Sequence, residues 1–333
     1  MNKKPALPTI ADVWSAAERV YSLLEETPLI ESPSLAASSK AAGIGLKLEL
    51  LQPTGSFKVR GATNTILSLD AQERAKGVIT FSTGNHGRAV SYVAHQSGIR
   101  AVVCLSERVP SYRLDAIRAL GGEPVVHGKS QDEAEDYYME LRDKEGLIPV
   151  VPFDDPRVIA GQGTISLEIL QQYPEVDTLL VPLSGGGLLA GVSMAMKALR
   201  PSVRIIGVSI ERSPAMLESL KAGKPVEVQE QDTLADSLLG GIGRDNNYTL
   251  EIIKECVDEH VLVDEDDIKK GMYYLFNEHG LVAEGAAAVG AAAILAGKVD
   301  VSGRHVVMPL TGKNVDEDAY LSVIMEEKKR HET

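Results

Sequence analysis

Cysteine is nearly absent: two in 333 residues leave no disulfide framework, and neither Cys104 nor Cys256 stands in a metal-ligand spacing. Cys104 falls in the apolar run Ala101-Val102-Val103-Cys104-Leu105, which reads as a buried structural thiol. Aromatic residues are also scarce, at 5%, so Leu, Val, Ile and Ala must build the core. Basic residues are outnumbered 34 to 47, and a net charge of −13 leaves nothing to replace the counterions of a nucleic acid. Any anion site must therefore be local, made from backbone N–H groups and helix N-termini. No apolar run reaches membrane-spanning length without a charge or proline, and Met1-Asn2-Lys3-Lys4-Pro5 lacks the apolar region of a signal peptide. A soluble cytoplasmic protein without nucleic-acid or membrane partners is expected. The sequon Asn247-Tyr248-Thr249 then goes unused.

Short β-rich runs alternate with helical segments. Strands are expected at Leu46–Leu51, Gly77–Phe81, Arg100–Leu105, Pro124–His127, Pro149–Pro152, Thr178–Leu183, Arg204–Ile210 and His305–Met308. Helices are expected at Asn85–Gln96, Gln131–Lys144, Leu188–Leu199, Asp266–Glu278 and Glu284–Ala296, and the polar tail Glu326–Thr333 reads as a frayed end. Apolar strands separated by helices indicate an α/β fold with mostly parallel sheet covered on both faces. Two βα series, from about Gly77 to Pro152 and from about Thr178 onward, suggest two lobes with a cleft between them. Open parallel sheets bind ligands beyond the carboxyl ends of their strands, so the loops after strands hold the functional information.

Three such loops stand out. In Pro53-Thr54-Gly55-Ser56-Phe57-Lys58-Val59-Arg60-Gly61-Ala62, the turn residues precede a helix, with the Ser56 hydroxyl in an N-cap position. Lys58 then lies in the first turn, where the positive end of the helix dipole disfavours an ammonium and favours a nucleophile or base. Ser82-Thr83-Gly84-Asn85-His86-Gly87-Arg88 follows a strand and makes a nest of backbone donors suited to a carboxylate. His86 there is as readily a packed side chain as a base. Pro182-Leu183-Ser184-Gly185-Gly186-Gly187-Leu188-Leu189-Ala190-Gly191 joins an apolar strand to an Ala-rich helix. Its consecutive glycines allow a phosphate close to the helix N-terminus.

The same loop fits a relaxed dinucleotide fingerprint, Gly185-x-Gly187-x-x-Ala190, with Glu211 about the expected distance on. A nicotinamide-dependent oxidoreductase is therefore a rival reading, although three adjacent glycines suit a single phosphate better. In Pro309-Leu310-Thr311-Gly312-Lys313-Asn314 the spacing is not that of a Walker A motif. Thr311 offers a hydroxyl just past a strand end.

Together, Ser56-Phe57-Lys58, Ser82-Thr83-Gly84-Asn85-His86, Ser184–Leu188 and Thr311-Gly312 resemble the fold-type-II pyridoxal-phosphate (PLP) enzymes, specifically the serine/threonine dehydratases, over nearly the whole chain. Ser82–Val90, Thr233–Gly243 and Val282–Gly290 look like the hydroxyectoine-utilisation dehydratases. The resemblance implies a tryptophan-synthase-β-like fold, two open twisted lobes of mostly parallel sheet with the cofactor in the cleft. Residues 1–68 and 156–333 would form the large cofactor-binding domain and 69–155 the small domain that closes over substrate.

It also implies roles. Lys58 would hold pyridoxal 5'-phosphate as a Schiff base and, once released, act as base at the substrate Cα. Phe57 would pack on the ring edge, Asn85 would bond the ring hydroxyl, and Thr311 the pyridine nitrogen. Glu284 would lie near the ring, and the backbone of Ser184, Gly185, Gly186, Gly187 and Leu188 would hold the phosphate. Ser82, Thr83, Gly84, Asn85 and His86 would bind the substrate carboxylate. The implied reaction is β-elimination from a small hydroxy-amino acid, giving a keto acid and ammonia, in a catabolic setting such as hydroxyectoine breakdown. Threonine/serine dehydratase, 3-hydroxyaspartate dehydratase and a serine-racemase-like enzyme stay open. Racemases carry a serine where this chain has Thr83, which favours dehydration. Ser209 replaces the carboxylate that binds a divalent metal in several relatives, so no metal is expected. Similarity implies a homodimer, and control by a distal regulatory domain is not expected.

Overall fold

In the sequence, the strand segments Thr178–Pro182, Arg204–Ile210 and His305–Pro309 are almost unbroken in apolar character, which suits strands buried on both faces. The computed structural model describes residues 5–82, 84–107, 109–129, 131–243 and 245–332. It contains β1 (Leu29–Glu31), β2 (Gly43–Lys47), β3 (Val78–Phe81), β4 (Ala101–Leu105) and β5 (Glu123–Val126). These are followed by β6 (Ile148–Pro149), β7 (Thr178–Pro182), β8 (Arg204–Ile210), β9 (Glu259–Val263) and β10 (His305–Pro309). One sheet runs β1-β2-β10-β7-β8-β9, with β1 antiparallel and the other pairings parallel. The other runs β5-β4-β3-β6 and is parallel throughout.

Side-chain alternation divides the core of the larger sheet. Leu180, Ile206, Val208, Val306 and Met308 pack with the Ala-rich helix Gly285–Leu295, which is buried almost all round. Leu179, Val181, Ile205 and Val307 pack on the other side, with the helices Pro156–Gln172 and Gly187–Leu199. Those two helices cross so closely that a Cβ at Gly191 would collide with the Ile159 carbonyl and the Gly163 nitrogen. Gly161 meets the Lys58–Leu67 helix in the same way, against the Arg60 carbonyl and the Gly61 Cα. Helix Pro156–Gln172 is thus wedged between the helix that begins at Lys58 and the one that begins in the glycine loop.

The five expected helices appear with each end within one residue of its expected place. Several strand expectations change. The run Leu46–Leu51 is strand only to Lys47, because β10 runs out of pairing residues at Pro309, and Glu49–Leu51 turns into a 3₁₀ helix. Of the run Pro149–Pro152 only Pro149 is strand, in a two-residue β6 that begins at Ile148; the last ladder bond is Val150 N–H to the Ile79 carbonyl, and Pro152 has no N–H to continue it. Strands β1 and β9 were not expected; β9 reads Glu-His-Val-Leu-Val and lies at the sheet edge with one face half-exposed. The tail is ordered rather than frayed: Glu317–His331 is helical, and Arg330 and Lys269 bind Glu327 and Glu326 at 2.8 and 3.0 Å. Among the described residues no helix is long and apolar enough to cross a membrane.

Candidate active site

Four loops, each following the carboxyl end of a strand or its extension, open on one cavity of about 300 Å³. Lys58 is the first residue of its helix. Ser56 does not cap that helix: it forms an isolated antiparallel bridge with Gly312, and its buried hydroxyl has no partner among the described residues. The pairing continues through Phe57 N–H to the Thr311 carbonyl (3.0 Å) and Lys313 N–H to the Gly55 carbonyl (2.9 Å). Extended pairing turns the Ser56 side chain away from the first helical turn, and in exchange it fixes Lys58 and Thr311 in one frame. The Lys58 ammonium donates to the Pro152 carbonyl at 2.8 Å and lies 5.3 Å from the Phe57 ring centre. Burial pulls its pKa down to about 8, so a substantial neutral fraction exists near neutrality. The residue stays partly accessible through the cavity.

Ser184, Gly185, Gly186, Gly187 and Leu188 all line the cavity. Gly186 takes φ = +91°, a conformation L side chains rarely adopt, and this turns the chain into the 13-residue helix Gly187–Leu199. That helix has no side-chain cap, so its first N–H groups are left for an anion. Thr249, the threonine of the sequon, is buried and donates to the Gly185 carbonyl at 3.0 Å. Asp154 in turn receives the N–H groups of Asn247, Tyr248 and Thr249. Both residues brace the loop; Thr249 stood out in the sequence only as part of the sequon, and Asp154 not at all. Glu211, the acidic residue of the dinucleotide reading, is paired with Lys298 at 3.0 Å.

Of the carboxylate nest, Ser82, Gly84, Asn85 and His86 line the cavity; Thr83 lies outside the described residues. His86 is buried and donates from Nε2 to the Val150 carbonyl (2.9 Å), an assignment forced because a carbonyl only accepts. Burial, helped by the Lys58 charge, depresses its pKa to about 3, so its side chain is a neutral strut rather than a proton carrier. Asn85 donates to both oxygens of Glu284 at 3.0 Å and accepts from Asn314 at 2.6 Å. Glu284 also receives the Asn314 N–H (2.8 Å) and the Ser237 hydroxyl (3.0 Å), and burial raises its pKa despite these donors. Thr311, buried beside the cavity, carries no hydroxyl hydrogen bond among the described residues.

The cavity therefore gathers every described residue proposed from the sequence, from Phe57 to Thr311. It also adds Arg113, Pro152, Phe153, Asp236 and Ser237 to its wall. Asp236 and Ser237 belong to the segment Thr233–Gly243, which carried a family resemblance but no expected site role. Arg113 approaches from the other lobe to Asp236, at 3.3 Å, and nothing in its local sequence marks it. Ser209, where a metal ligand was missing, instead donates to the Leu183 carbonyl at 2.9 Å.

The donors fit pyridoxal phosphate: an uncapped helix start for the phosphate, an amine of depressed pKa for the aldehyde, and an unpartnered threonine hydroxyl for the ring. The sequence signature described as "Pyridoxal-phosphate dependent enzyme" matches residues 20–312. A Sinorhizobium fredii protein, whose name gives threonine dehydratase provisionally, is 46% identical over 95% of both chains. The L-threonine ammonia-lyase of Thermotoga maritima is 40% identical over 92% of this chain and 76% of its own. Maize serine racemase superposes with a TM-score of 0.90 at 30% identity, covering 98% of this chain and 100% of that one.

Proposed function

The chain belongs to the pyridoxal-phosphate-dependent enzyme family, with the fold-type-II architecture, and from that premise we propose that it is an ammonia-lyase for a small β-hydroxy-amino acid. The observation that carries this reading is Lys58, an enclosed amine with a pKa of about 8, in the same cavity as the uncapped glycine-loop helix. The cofactor, when bound, supplies the electron sink for charge developing at the substrate Cα.

In this reading Lys58 binds the cofactor aldehyde and, when substrate displaces it, takes the proton from Cα. That proton, passed on from Lys58 to the hydroxyl, lets the Cβ–O bond break with loss of water while the Cα–Cβ double bond forms. The released enamine hydrolyses to a keto acid and ammonia. Backbone N–H groups of Ser184–Leu188 hold the phosphate, Phe57 packs on the ring edge, and Thr311 offers its hydroxyl to the pyridine nitrogen. A neutral hydroxyl there does not enforce a ring proton, which suits elimination better than full carbanion chemistry. Asn85 turns from Glu284 to the ring hydroxyl, and Glu284 stays near the ring. Ser82, Thr83, Gly84, Asn85 and His86 receive the substrate carboxylate, chiefly through backbone N–H groups, because the His86 ring is committed to Val150. Residues 69–155 close over 1–68 and 156–333.

Threonine and serine are the first substrates to test, since close relatives are named for threonine; 3-hydroxyaspartate and a hydroxyectoine-derived amino acid follow from the sequence motifs. The purified protein is expected to be yellow, and borohydride should fix the colour to the peptide containing Lys58. Keto-acid release across this panel, with D-serine measured alongside, identifies the substrate and any racemisation. A colourless protein, or Lys58→Ala turning over like wild type, would sink the reading. A homodimer, to be weighed by light scattering, belongs to the same proposal.

A further inference from the structure

A second group of charged residues lies behind Lys58, entirely out of water. Arg60, two residues on in the same first helical turn, is 0% exposed. Its guanidinium binds Glu49 through Nε (2.7 Å) and Nη2 (2.8 Å), and Glu168 through Nη1 (2.5 Å) and Nη2 (2.9 Å). A fifth bond runs from Nη1 to the Thr164 hydroxyl at 3.1 Å. Lys47, also 0% exposed, contacts Glu168 at 2.5 Å and donates to Gln172 and the Thr27 carbonyl. Thr27 closes the ring by donating to Glu49 at 2.6 Å. Two acids and two bases are thus neutralised within one dry cluster.

Such a cluster is a poor device for stability. Removing two pairs of ions from water costs several kcal/mol per ion, and apolar residues of equal volume often do as well or better. What ions provide and apolar groups do not is direction: each fork accepts one geometry. Here the forks connect three elements. Lys47 and Glu49 leave the end of β2, Arg60 leaves the Lys58 helix, and Glu168 and Thr164 leave helix Pro156–Gln172. That last helix also touches the Lys58 helix through Gly61 and Gly161, and touches the glycine-loop helix at Gly191. Smooth glycine contacts set how near two helices come, but leave their rotation and sliding loosely defined. A directional lock at the same crossing removes that freedom.

We propose that the buried quartet Lys47, Glu49, Arg60 and Glu168 is a positioning device for Lys58, fixing the rotation and register of its helix against helix Pro156–Gln172 and hence against the glycine loop. Arg60 is its central positioning residue. It does not line the cavity. Lys58 keeps its place against the Pro152 carbonyl only while the two helices hold this register.

The inference rests on Lys58 being the cofactor lysine, and its test is independent of turnover. In the cofactor-free full chain, acetylation of Lys58 by acetic anhydride is followed against pH by peptide mass spectrometry. Wild type should show a midpoint near 8. Arg60→Lys keeps the charge and loses the forks. Its midpoint should rise by about one unit or more towards that of a free lysine. Colour development with pyridoxal phosphate should slow by about tenfold, the size of effect expected when a reacting group is misplaced by a fraction of an ångström. Ile165→Val, a buried cavity variant in the same helix that touches no ion, should lose stability with the Lys58 midpoint unmoved. If Arg60→Lys does not fold, Thr164→Val removes a single bond to the guanidinium and should move the midpoint the same way by a smaller amount. An unmoved midpoint in whichever of these two variants folds overturns the proposal. So does an equal shift in Ile165→Val, which would reduce the effect to general loosening. Failure of borohydride to fix cofactor at Lys58 would instead remove the functional reading beneath it.

Discussion

Around the six-stranded sheet, helices meet backbone to backbone; around the four-stranded sheet, helix Asn85–Gln96 is well buried but two others rest on a few side chains. Helix Pro156–Gln172 buries most of its length and is pressed between two neighbours at Gly161 and Gly191. Among the described side chains, helix Gln131–Glu145 buries only Ala134 and Leu141, and helix Ser111–Ala119 only Ile117. Ion pairs divide the same way. The quartet around Arg60 is wholly buried, whereas Arg100 and Arg113 of the smaller unit reach partners that are 35–59% exposed. Regions with few buried contacts open at low free-energy cost, and ligand-closing elements are drawn from them. In the function proposed above, the first unit is the frame that would fix Lys58 against the glycine loop, and the second the cover that would close over substrate.

The comparison breaks most readily at the crossing of the frame. Gly191→Val places side-chain carbons against the Ile159 carbonyl and should destabilise by more than about 4 kcal/mol or abolish folding, read by denaturant unfolding. Arg60→Met leaves Glu49 and Glu168 buried without their central cation, and about 3–5 kcal/mol should be lost. Lys58→Met acts in the opposite direction. The folded pKa of about 8 lies below the ordinary 10.5, so the unfolded chain holds more protons between those values and stability rises with pH across that window. At pH 7 the cofactor-free Lys58→Met chain should therefore be more stable than wild type, by up to about 3 kcal/mol. That gain should fade by about pH 10–11. Arg113→Met removes a pair whose side chains are 30% and 59% exposed. Stability should change by no more than about 1 kcal/mol, and a larger loss would show the cover to be bound to the frame more firmly than its surface contacts suggest.

Much of this was legible in the sequence because strand-end loops carry their chemistry in short segments. Lys58, the Ser184–Leu188 loop and Thr311 each follow an apolar strand or turn, and the cavity gathers them. The family motifs supplied the cofactor, and with it the dinucleotide reading falls away. Residues that act across the fold were not legible. Asn314 binds Asn85, Ser237 binds Glu284, and Asp154 braces Thr249, all at long sequence separation. The quartet left one local sign: Lys47 and Glu49 interrupt the apolar run Leu46–Leu51, and charges inside such a run must be paired if the run is buried. Ser56 misled because a cap and a bridge look alike until the partner, Gly312, is in place.

That bridge has a consequence for how the protein is made. The turn before Lys58 finds its partner in the Gly312 loop, and β2, beyond its local pairing with β1, is completed only by β10, both far along the chain. With about 250 residues intervening and synthesis at roughly 5–20 residues per second, the emerging N-terminal segment waits on the order of ten to fifty seconds for its partner. During that interval the four-stranded unit is already complete, while the lysine still lacks the bridge that ties it to Thr311. The frame that holds Lys58 against Thr311 is thus completed late, about 250 residues after the lysine itself is made.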